Sequence, residues 1–255
     1  MKIKIVVALH KAYWLPKDEC YFPLQVGALG KEPFGVHRDD EGDNISAKNP
    51  NFCELTALYW AWKHIDADYI GLCHYRRYFT RREAFRLDHR KEAVLTGKEW
   101  EKILAKHPVV VPKKRRHFIE TNRSHYYHAH HREGLDALEE VLKEKYPHYL
   151  DAYEKVMGRT WAHLFNMFVM RRDYFERYME FMFDVLFEVE KRVDITGYSV
   201  YEARIFGFLA ERLLDVWLIA EDVPAVEKNV SFLERQNWIK KGASFLLRKI
   251  RGRRD

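Results

Sequence analysis

The chain has 255 residues, 47% of them hydrophobic and 15% aromatic, which suffices for the core of one large domain. No segment contains the ~20 consecutive apolar residues that a membrane-spanning helix needs, so we expect a soluble protein. The net charge of +6 has a local origin, because seven basic side chains and one acidic one lie between Trp238 and Asp255 and the remaining charges cancel.

The amino-terminal segment predicts a buried first strand rather than a signal peptide. Residues 2–9 alternate and then become continuously apolar, and the run is short and interrupted by Lys4. His10 follows at the carboxyl end of this strand, where open α/β sheets bind their ligands. The cysteines are odd in number and form no CxxC pair, which is typical of reduced, buried thiols in a cytoplasmic protein.

A long irregular segment, residues 12–50, contains four prolines and four glycines. A loop of this length in a compact domain is usually functional. Residues 25–28 predict a short strand or turn, and the acidic residues 39–46 are suited to hydrogen-bonding hydroxyls or a base edge. Asn49 and Pro50 then predict the N-cap and first residue of a helix.

The stretch from Tyr69 to Phe79 carries the clearest functional signal. Its apolar first half predicts a buried strand, which completes a β-loop-α-β unit with the preceding segments. His74, Arg76 and Arg77 follow at its carboxyl end and offer cations to a phosphate or diphosphate. The alternative is a strand that runs into a solvated basic loop.

The second half of the chain is mainly helical by pattern. Residues 81–106 and 122–145 predict helices, and the histidines of the second helix lack the carboxylate of a HExxH motif, which favours a solvated or acceptor-binding face over a zinc site. Between these helices, residues 109–112 predict a strand that ends in four cations. Residues 161–170 predict another strand. Asn166 is the one polar residue of its apolar part, Leu164–Met170, and we expect it to bind a ligand hydroxyl; a hydrogen bond to neighbouring backbone is the alternative.

Two further helices are predicted over residues 171–193 and 201–218, with an edge strand over 216–220. The motifs GxGxxG, GxxxxGK[ST] and GxSxG do not occur in the sequence. One Asp-x-Asp pair, Asp66 and Asp68, precedes the strand and so lies away from the ligand crevice, which indicates a turn rather than a metal site. Cations at the opposite end favour a metal-independent reaction, with Mn²⁺ or Mg²⁺ left open.

Two blocks, NISAKNPNFCELTALYW at residues 44–60 and DYIGLCHYRRYF at residues 68–79, closely resemble a bacterial family. The family was first catalogued as a domain of unknown function, and its members are described as capsular or exopolysaccharide glycosyltransferases. The resemblance spans about residues 2–222 and includes 166–170 and 204–213. It implies a GT-A-like, Rossmann-type α/β fold with a mixed, mostly parallel sheet flanked by helices. It also implies a nucleotide-sugar donor, commonly a UDP-hexose such as UDP-galactose, but not which sugar.

The resemblance and the physical interpretation indicate the same donor site. Its expected residues are His10, Gly27, Ala28, Asp43, Asn44, Lys48, Asn49, His74, Tyr75, Arg76 and Arg77. An inverting transferase needs a carboxylate base at the acceptor hydroxyl. Glu202 and Glu211 are the candidates, with Asp173 behind them, although each could be an ordinary helix carboxylate. Arg204 is expected to hold the phosphates or position that base, and Asn166 to bind the acceptor.

The sequence divides into a catalytic domain, residues 1–229, and a basic amphipathic helical tail, residues 230–255. Large apolar side chains mixed with cations are typical of a segment on an anionic membrane surface; a solvated terminus and a nucleic-acid contact are the alternatives. We therefore expect a cytoplasmic enzyme, peripheral at the inner face of the cell membrane, that acts on a lipid-linked saccharide and binds no nucleic acid. The competing hypotheses are a nucleotide-sugar-processing enzyme, a non-catalytic nucleic-acid-binding protein, and structural pairing of Arg76 and Arg77 with acids.

Overall fold

The computed structural model describes residues 1–83, 86–117 and 119–234; most of the predicted tail, residues 235–255, lies outside this range. The strands are β1 (Ile3–Leu9), β2 (Tyr21–Gln25), β3 (His37–Arg38), β4 (Tyr69–His74), β5 (Arg77–Thr80), β6 (Val109–Pro112), β7 (Arg115–Arg116), β8 (Trp161–Ala162), β9 (Phe168–Arg171) and β10 (Ala225–Phe232). The α-helices are α1 (Asn49–Phe52), α2 (Leu55–His64), α3 (Leu87–Glu92), α4 (Gly97–Leu104), α5 (Asn122–Ala129), α6 (Arg132–Lys145), α7 (Leu150–Met157), α8 (Arg172–Arg192) and α9 (Ile205–Ala220).

Within the described residues, the main sheet has a parallel wing and a closed ring. The wing consists of β3, β2, β1 and β4, which are parallel neighbours. The ring consists of β4, β5, β10, β6 and β9, and it closes because β9 pairs with both β6 and β4. All ring pairings are antiparallel except the one between β10 and β6.

The prediction of a mixed α/β fold is confirmed, and the prediction of a mostly parallel, Rossmann-type sheet is wrong. A tight turn at Tyr75 and Arg76 sends β5 back antiparallel to β4. Gly71 allows β9 to approach β4 from the other side, because a Cβ at this position would lie 2.5 Å from the carbonyl oxygen of Phe168. These two local features bend the sheet into a ring.

Strand β1 is apolar on both faces because two hydrophobic clusters cover the sheet. Val6 and Ala8 pack in the larger cluster with helices that include α2, α8 and α9, whereas Ile5 and Val7 pack in the smaller cluster around Trp100. Burial on both faces explains why the amino-terminal strand reads as a nearly continuous apolar run. In the described part of the chain, no helix is long and apolar enough to cross a bilayer. Each of the three cysteines is buried and free, as predicted.

Several predicted boundaries are wrong. The predicted helix over residues 122–145 is interrupted between α5 and α6, the predicted edge strand over 216–220 belongs to α9, and the loop over 12–50 contains β2 and β3. The predicted strand over 161–170 breaks because Phe165 and Asn166 adopt left-handed backbone conformations, with φ of 82° and 53°. Strand β10 was not predicted, and it extends past residue 229 into the first residues assigned to the tail.

Candidate active site

Polar and charged side chains gather at the carboxyl ends of β1 and β4, a region that we call the cleft. His10 follows β1, His74 ends β4, and the pairing of Ala8 with His74 brings these strand ends together. Desolvation and the nearby charges of Lys31 and Arg204 lower the pKa of His10, and burial lowers the pKa of His74. Both histidines are therefore neutral near pH 7, and the lysine and arginine side chains supply the positive charge of the cleft.

Glu54 lies at the centre of this cleft. Helix α1 ends at Phe52 and α2 begins at Leu55, and the left-handed Cys53, with φ of 52°, turns the chain between them. The Glu54 side chain is only 14% exposed, and its Oε1 lies 3.9 Å from His74 Nε2. Its negative charge also acts on His10, Arg77 and Arg204. We did not single out this residue from the sequence, although it is the lone acid between Asp43 and Asp66.

The turn formed by Phe165 and Asn166 connects the cleft to helix α9. His74 Nε2 donates to the carbonyl oxygen of Phe165 at 2.7 Å, and the Phe165 amide donates to Glu211 Oε1 at 2.9 Å. Asn166 Nδ2 donates both to Glu54 Oε1 at 2.9 Å and to the carbonyl oxygen of Gly207 at 3.0 Å. Asn166 Oδ1 is buried and has no hydrogen-bond partner among the described residues, so the turn holds an acceptor atom that no described protein group satisfies.

Two arginines stack on the same pair of aromatic rings beside this turn. The Arg77 guanidinium lies 4.6 Å from the Phe165 ring centroid and 5.4 Å from that of Phe232, and Arg115 lies 5.3 and 5.8 Å from the same centroids. Burial lowers the pKa of both guanidinium groups. Among the described side chains, no carboxylate lies within salt-bridge distance of Arg77. Arg115 was visible in the sequence only as one of the four cations after β6.

Arg76 differs from Arg77 in its surroundings. Its side chain is 45% exposed and pairs with Glu234 at 3.0 Å, and its guanidinium lies 4.9 Å from the Tyr75 ring. Tyr75 is buried and packs edge-on against Tyr13 at 5.2 Å. Of the two predicted arginines, Arg77 is thus the interior cation and Arg76 lies on the rim, where it still contributes to the electrostatics of His10.

The carboxylates predicted as bases lie in different places. Burial raises the pKa of Glu211, and its oxygens face the Phe165 amide and, at 3.4 Å, Arg212, which is 2% exposed. Glu202 instead accepts from the Ser199 amide at 2.9 Å and pairs with His131 at 3.2 Å.

The structure therefore brings Glu211 to the cleft, whereas Glu202 is engaged at the start of α9. Asp173 pairs with Arg171, which lies opposite Tyr69 at the amino end of β4, far from the cleft. Arg204 borders the cleft, and its Nε donates to Cys53 Sγ at 3.2 Å.

Gly27 and Ala28 form a rigid loop beside the cleft. Their amides donate to the carboxylate of the fully buried Asp39 at 2.8 and 2.9 Å. Gly27 has φ of 56°, and a Cβ there would lie 2.4 Å from Asn49 Oδ1. Asn49 Nδ2 in turn donates to the carbonyl oxygen of Cys53 at 2.8 Å. These contacts fix the chain immediately before Glu54.

Of the remaining predicted donor residues, Asp43 contacts helix α2, Lys48 contacts helix α8, and Asn44 contacts neither through the hydrogen bonds of its own turn. Asp43 Oδ1 accepts from the Tyr59 hydroxyl at 3.1 Å, Asn44 bonds within its own turn, and Lys48 pairs with Glu190. None of the contacts just described connects Asp43, Asn44 or Lys48 with Glu54 or Arg77.

The Asp-x-Asp pair lies at the amino end of β4, as predicted. Asp68 accepts from the Lys2 amide at 2.7 Å, and Asp66 pairs with Arg172. Within residues 1–83, 86–117 and 119–234, no group of three or more His, Cys, Asp or Glu side chains is arranged to hold a metal ion. In the part of the chain that the structure describes, the charged side chains of the cleft are mainly arginines, and its carboxylates are Glu54 and Glu211.

Comparisons with known proteins give a family match and a similar solved structure. The profile of a family described as a domain of unknown function, DUF4422, matches residues 4–222. The solved apo structure of WbbM, a bifunctional glycosyltransferase, is similar to this chain, with a TM-score of 0.85 and 29% sequence identity. The similarity covers 92% of this chain and 46% of WbbM, so the chain spans about half the length of that protein. No curated protein matches the chain.

Proposed function

This chain belongs to the DUF4422 family, and from that premise we propose that it is a glycosyltransferase that moves a hexose from a nucleotide sugar to a saccharide acceptor. We propose a UDP-hexose such as UDP-galactose as the donor and a lipid-linked surface polysaccharide as the acceptor. The observation that carries the proposal is the Arg77 guanidinium, which is partly buried at the carboxyl end of the sheet without a carboxylate at salt-bridge distance in the described structure. A buried cation is costly unless a ligand supplies the matching anion.

The donor diphosphate would lie between Arg77 and Arg204, with Arg76 at the rim. His74 fixes the Phe165 turn as a neutral donor, and His10 and Lys31 would border the nucleotide together with the loop at Gly27 and Ala28. These assignments follow the positions of the side chains around the cleft. In this proposal the predicted residues Asp43, Asn44, Lys48 and Asn49 do not contact the donor. They stabilise the segments that carry the contacting residues.

We further propose that these arginines, rather than a divalent metal ion, neutralise the leaving diphosphate. The support is the placement of the acidic pair, because Asp66 and Asp68 lie at the amino end of β4 while the arginines lie at its carboxyl end. The basic tail was predicted over residues 230–255, of which 235–255 lie outside the described residues, and we propose from its sequence alone that it holds the enzyme at an anionic membrane surface on the cytoplasmic side.

The proposal is tested by thermal unfolding of the purified protein with a panel of UDP-, GDP- and ADP-sugars, followed by assays of nucleotide release. A donor at a hundred times its dissociation constant stabilises a protein by ~2.7 kcal/mol, and we expect such a shift with a UDP-hexose. No shift and no release with any nucleotide sugar would contradict the proposal. Sugar phosphate formed without an acceptor would favour a nucleotide-sugar-processing enzyme, and salt-sensitive binding of an oligonucleotide would favour a nucleic-acid-binding protein.

A further inference from the structure

We propose that Glu54 is the catalytic base of this site and that Asn166 positions its carboxylate. The inference rests on the proposed transferase function, and Glu54 is not among the carboxylates that the sequence predicts as the base. Glu54 Oε1 accepts from Asn166 Nδ2 at 2.9 Å and lies 3.9 Å from His74 Nε2. The other carboxylate oxygen, Oε2, has no hydrogen-bond partner or salt bridge within the described residues, so no protein group there uses its capacity to accept a proton.

The negative charge of Glu54 is unfavourable for binding the donor diphosphate. A carboxylate at this position is therefore explained by a role in the chemical step. Its carboxylate acts on His10, Arg77 and Arg204, the groups that would surround the donor diphosphate. A negative charge at this point repels the diphosphate. A glutamine would accept the same hydrogen bond from Asn166 without this repulsion, so a purely structural role does not require a carboxylate.

The other carboxylates near the cleft are engaged with protein groups. Glu211 accepts from the Phe165 amide with one oxygen and faces the buried Arg212 with the other. These contacts make Glu211 the anchor of the Phe165 turn. Glu202 is held by Ser199 and His131. Glu54 is thus the cleft carboxylate with an oxygen available to a substrate.

Asn166 is built to orient this carboxylate. Its Nδ2 bridges Glu54 and the carbonyl oxygen of Gly207, so the carboxylate is tied to helix α9. Its backbone is left-handed, with φ of 53°, a conformation that asparagine adopts more readily than most other non-glycine residues. The unpartnered Oδ1 of Asn166 is placed to accept a hydrogen bond from a substrate hydroxyl.

In the reaction, the acceptor hydroxyl loses its proton to Glu54 Oε2 while its oxygen forms a bond to the anomeric carbon. The bond between that carbon and the β-phosphate oxygen breaks, and its electron pair leaves with UDP. Arg77 and Arg204 stabilise the charge of the departing diphosphate. Glu54 returns its proton to water after the products leave. This single displacement inverts the anomeric configuration.

The test compares Glu54→Gln with Glu101→Gln, an exposed carboxylate on α4 far from the cleft. UDP binding is measured by calorimetry, and turnover is measured as UDP release from UDP-galactose, with water as the acceptor. Glu54→Gln should bind UDP about three- to tenfold more tightly, because the repulsion is gone. Its turnover should fall about 100-fold or more, whereas Glu101→Gln should match the wild type in both measurements.

The outcomes separate the two claims. Wild-type protein that neither binds UDP nor releases it from UDP-galactose would overturn the proposed UDP-hexose donor and this inference together, while the transferase function itself is judged by the panel of nucleotide sugars. A wild type that does both, beside a Glu54→Gln variant that keeps more than a tenth of its turnover, would overturn only the assignment of Glu54. Weaker UDP binding together with a lower melting temperature in Glu54→Gln would also overturn it, because that pattern marks a structural anchor.

The positioning role of Asn166 is tested with Asn166→Gly, which removes the amide and tolerates the left-handed backbone. Loss of the hydrogen bond that orients the carboxylate should lower kcat by about 10-fold, while the KM for UDP-galactose should stay within about twofold of the wild-type value. UDP affinity should stay within about twofold of the wild-type value. An unchanged kcat with a lower melting temperature would show that Asn166 is only structural.

Discussion

The adjacent residues Arg76 and Arg77 differ in how deeply their side chains are buried. Arg77 stacks between Phe165 and Phe232, and Arg76 pairs with Glu234 on the rim. A charged hydrogen bond in a desolvated site is worth more than one at an exposed position, where water and salt screen the charge. The two side chains should therefore contribute unequally to the binding of a diphosphate.

We predict that Arg77→Ala weakens UDP binding by about 10- to 100-fold, which corresponds to the ~1.5–3 kcal/mol of a charged hydrogen bond. Arg76→Ala should weaken it by no more than about threefold, because its side chain is 45% exposed. Calorimetry at one fixed salt concentration measures both values. Equal losses in the two variants would contradict the distinction between an interior and a rim arginine.

At the scale of elements, the connection between β8 and β9 determines the shape of the site. His163 Nδ1 lies 2.5 Å from Asp215 Oδ1 on α9, and its Nε2 lies 3.4 Å from Glu227 Oε1 on β10. Burial alone would lower the pKa of His163, but its hydrogen bonds and the charges of Asp215 and Glu227 raise it overall. This pair fixes the chain two residues before the Phe165 turn that contacts His74 and Glu211.

The raised pKa of His163 predicts a pH-dependent contribution of this side chain to stability. Since the folded-state pKa exceeds the unfolded one, near 6.5, the contribution is complete below about pH 6.5 and is lost as pH rises through the folded-state pKa. His163→Asn should lower the free energy of unfolding by ~1.5–3 kcal/mol at pH 5.5 and by less at pH 8.5. Urea denaturation at both pH values measures this, with the exposed His89→Asn as the control. A difference that grows with pH would contradict the assignment.

Closure of the ring between β4 and β9 depends on Gly71. Gly71→Ala should destabilise the protein by ~1–3 kcal/mol, because the added Cβ would collide with the Phe168 carbonyl oxygen and force the strands apart. Gly158→Ala is the matched control, since its Cβ would lie 3.4 Å from the nearest atom, the carbonyl oxygen of Glu154. Urea midpoints of the two variants provide the comparison. Similar midpoints would show that the sheet closes without this close approach.

At the scale of the whole molecule, strands that are continuously apolar could be predicted from the sequence. A strand whose position depends on pairing with distant segments could not. The runs that become β1 and β4 are continuously apolar, and the basic residues after β4 mark the ligand end of the sheet. Strand β10 reads AVEKNVSF, which lacks a clear apolar alternation, because it acquires its place only by pairing with β5 and β6, distant in the sequence. The closure of the ring could therefore not be predicted from the local pattern of apolar residues.

The same limit applies to the site. Arg77 was found because it directly follows a strongly apolar strand. Glu54 was missed because its place in the cleft depends on the left-handed Cys53, a residue type that gives no sign of such a conformation in the sequence. Arg115 was missed because its stacking on Phe165 and Phe232 joins residues from three separate segments.

The central claim is that protein cations at the carboxyl end of the sheet hold the donor diphosphate without help from a metal ion. The most direct test is the melting temperature of the wild-type protein with saturating UDP-galactose or UDP-glucose, measured in EDTA and again in manganese. The account predicts a stabilisation that is the same in both buffers, about 2.7 kcal/mol at a hundredfold excess over the dissociation constant. A stabilisation that appears only in manganese would contradict it and would show that a metal ion, rather than the arginine cluster, holds the diphosphate.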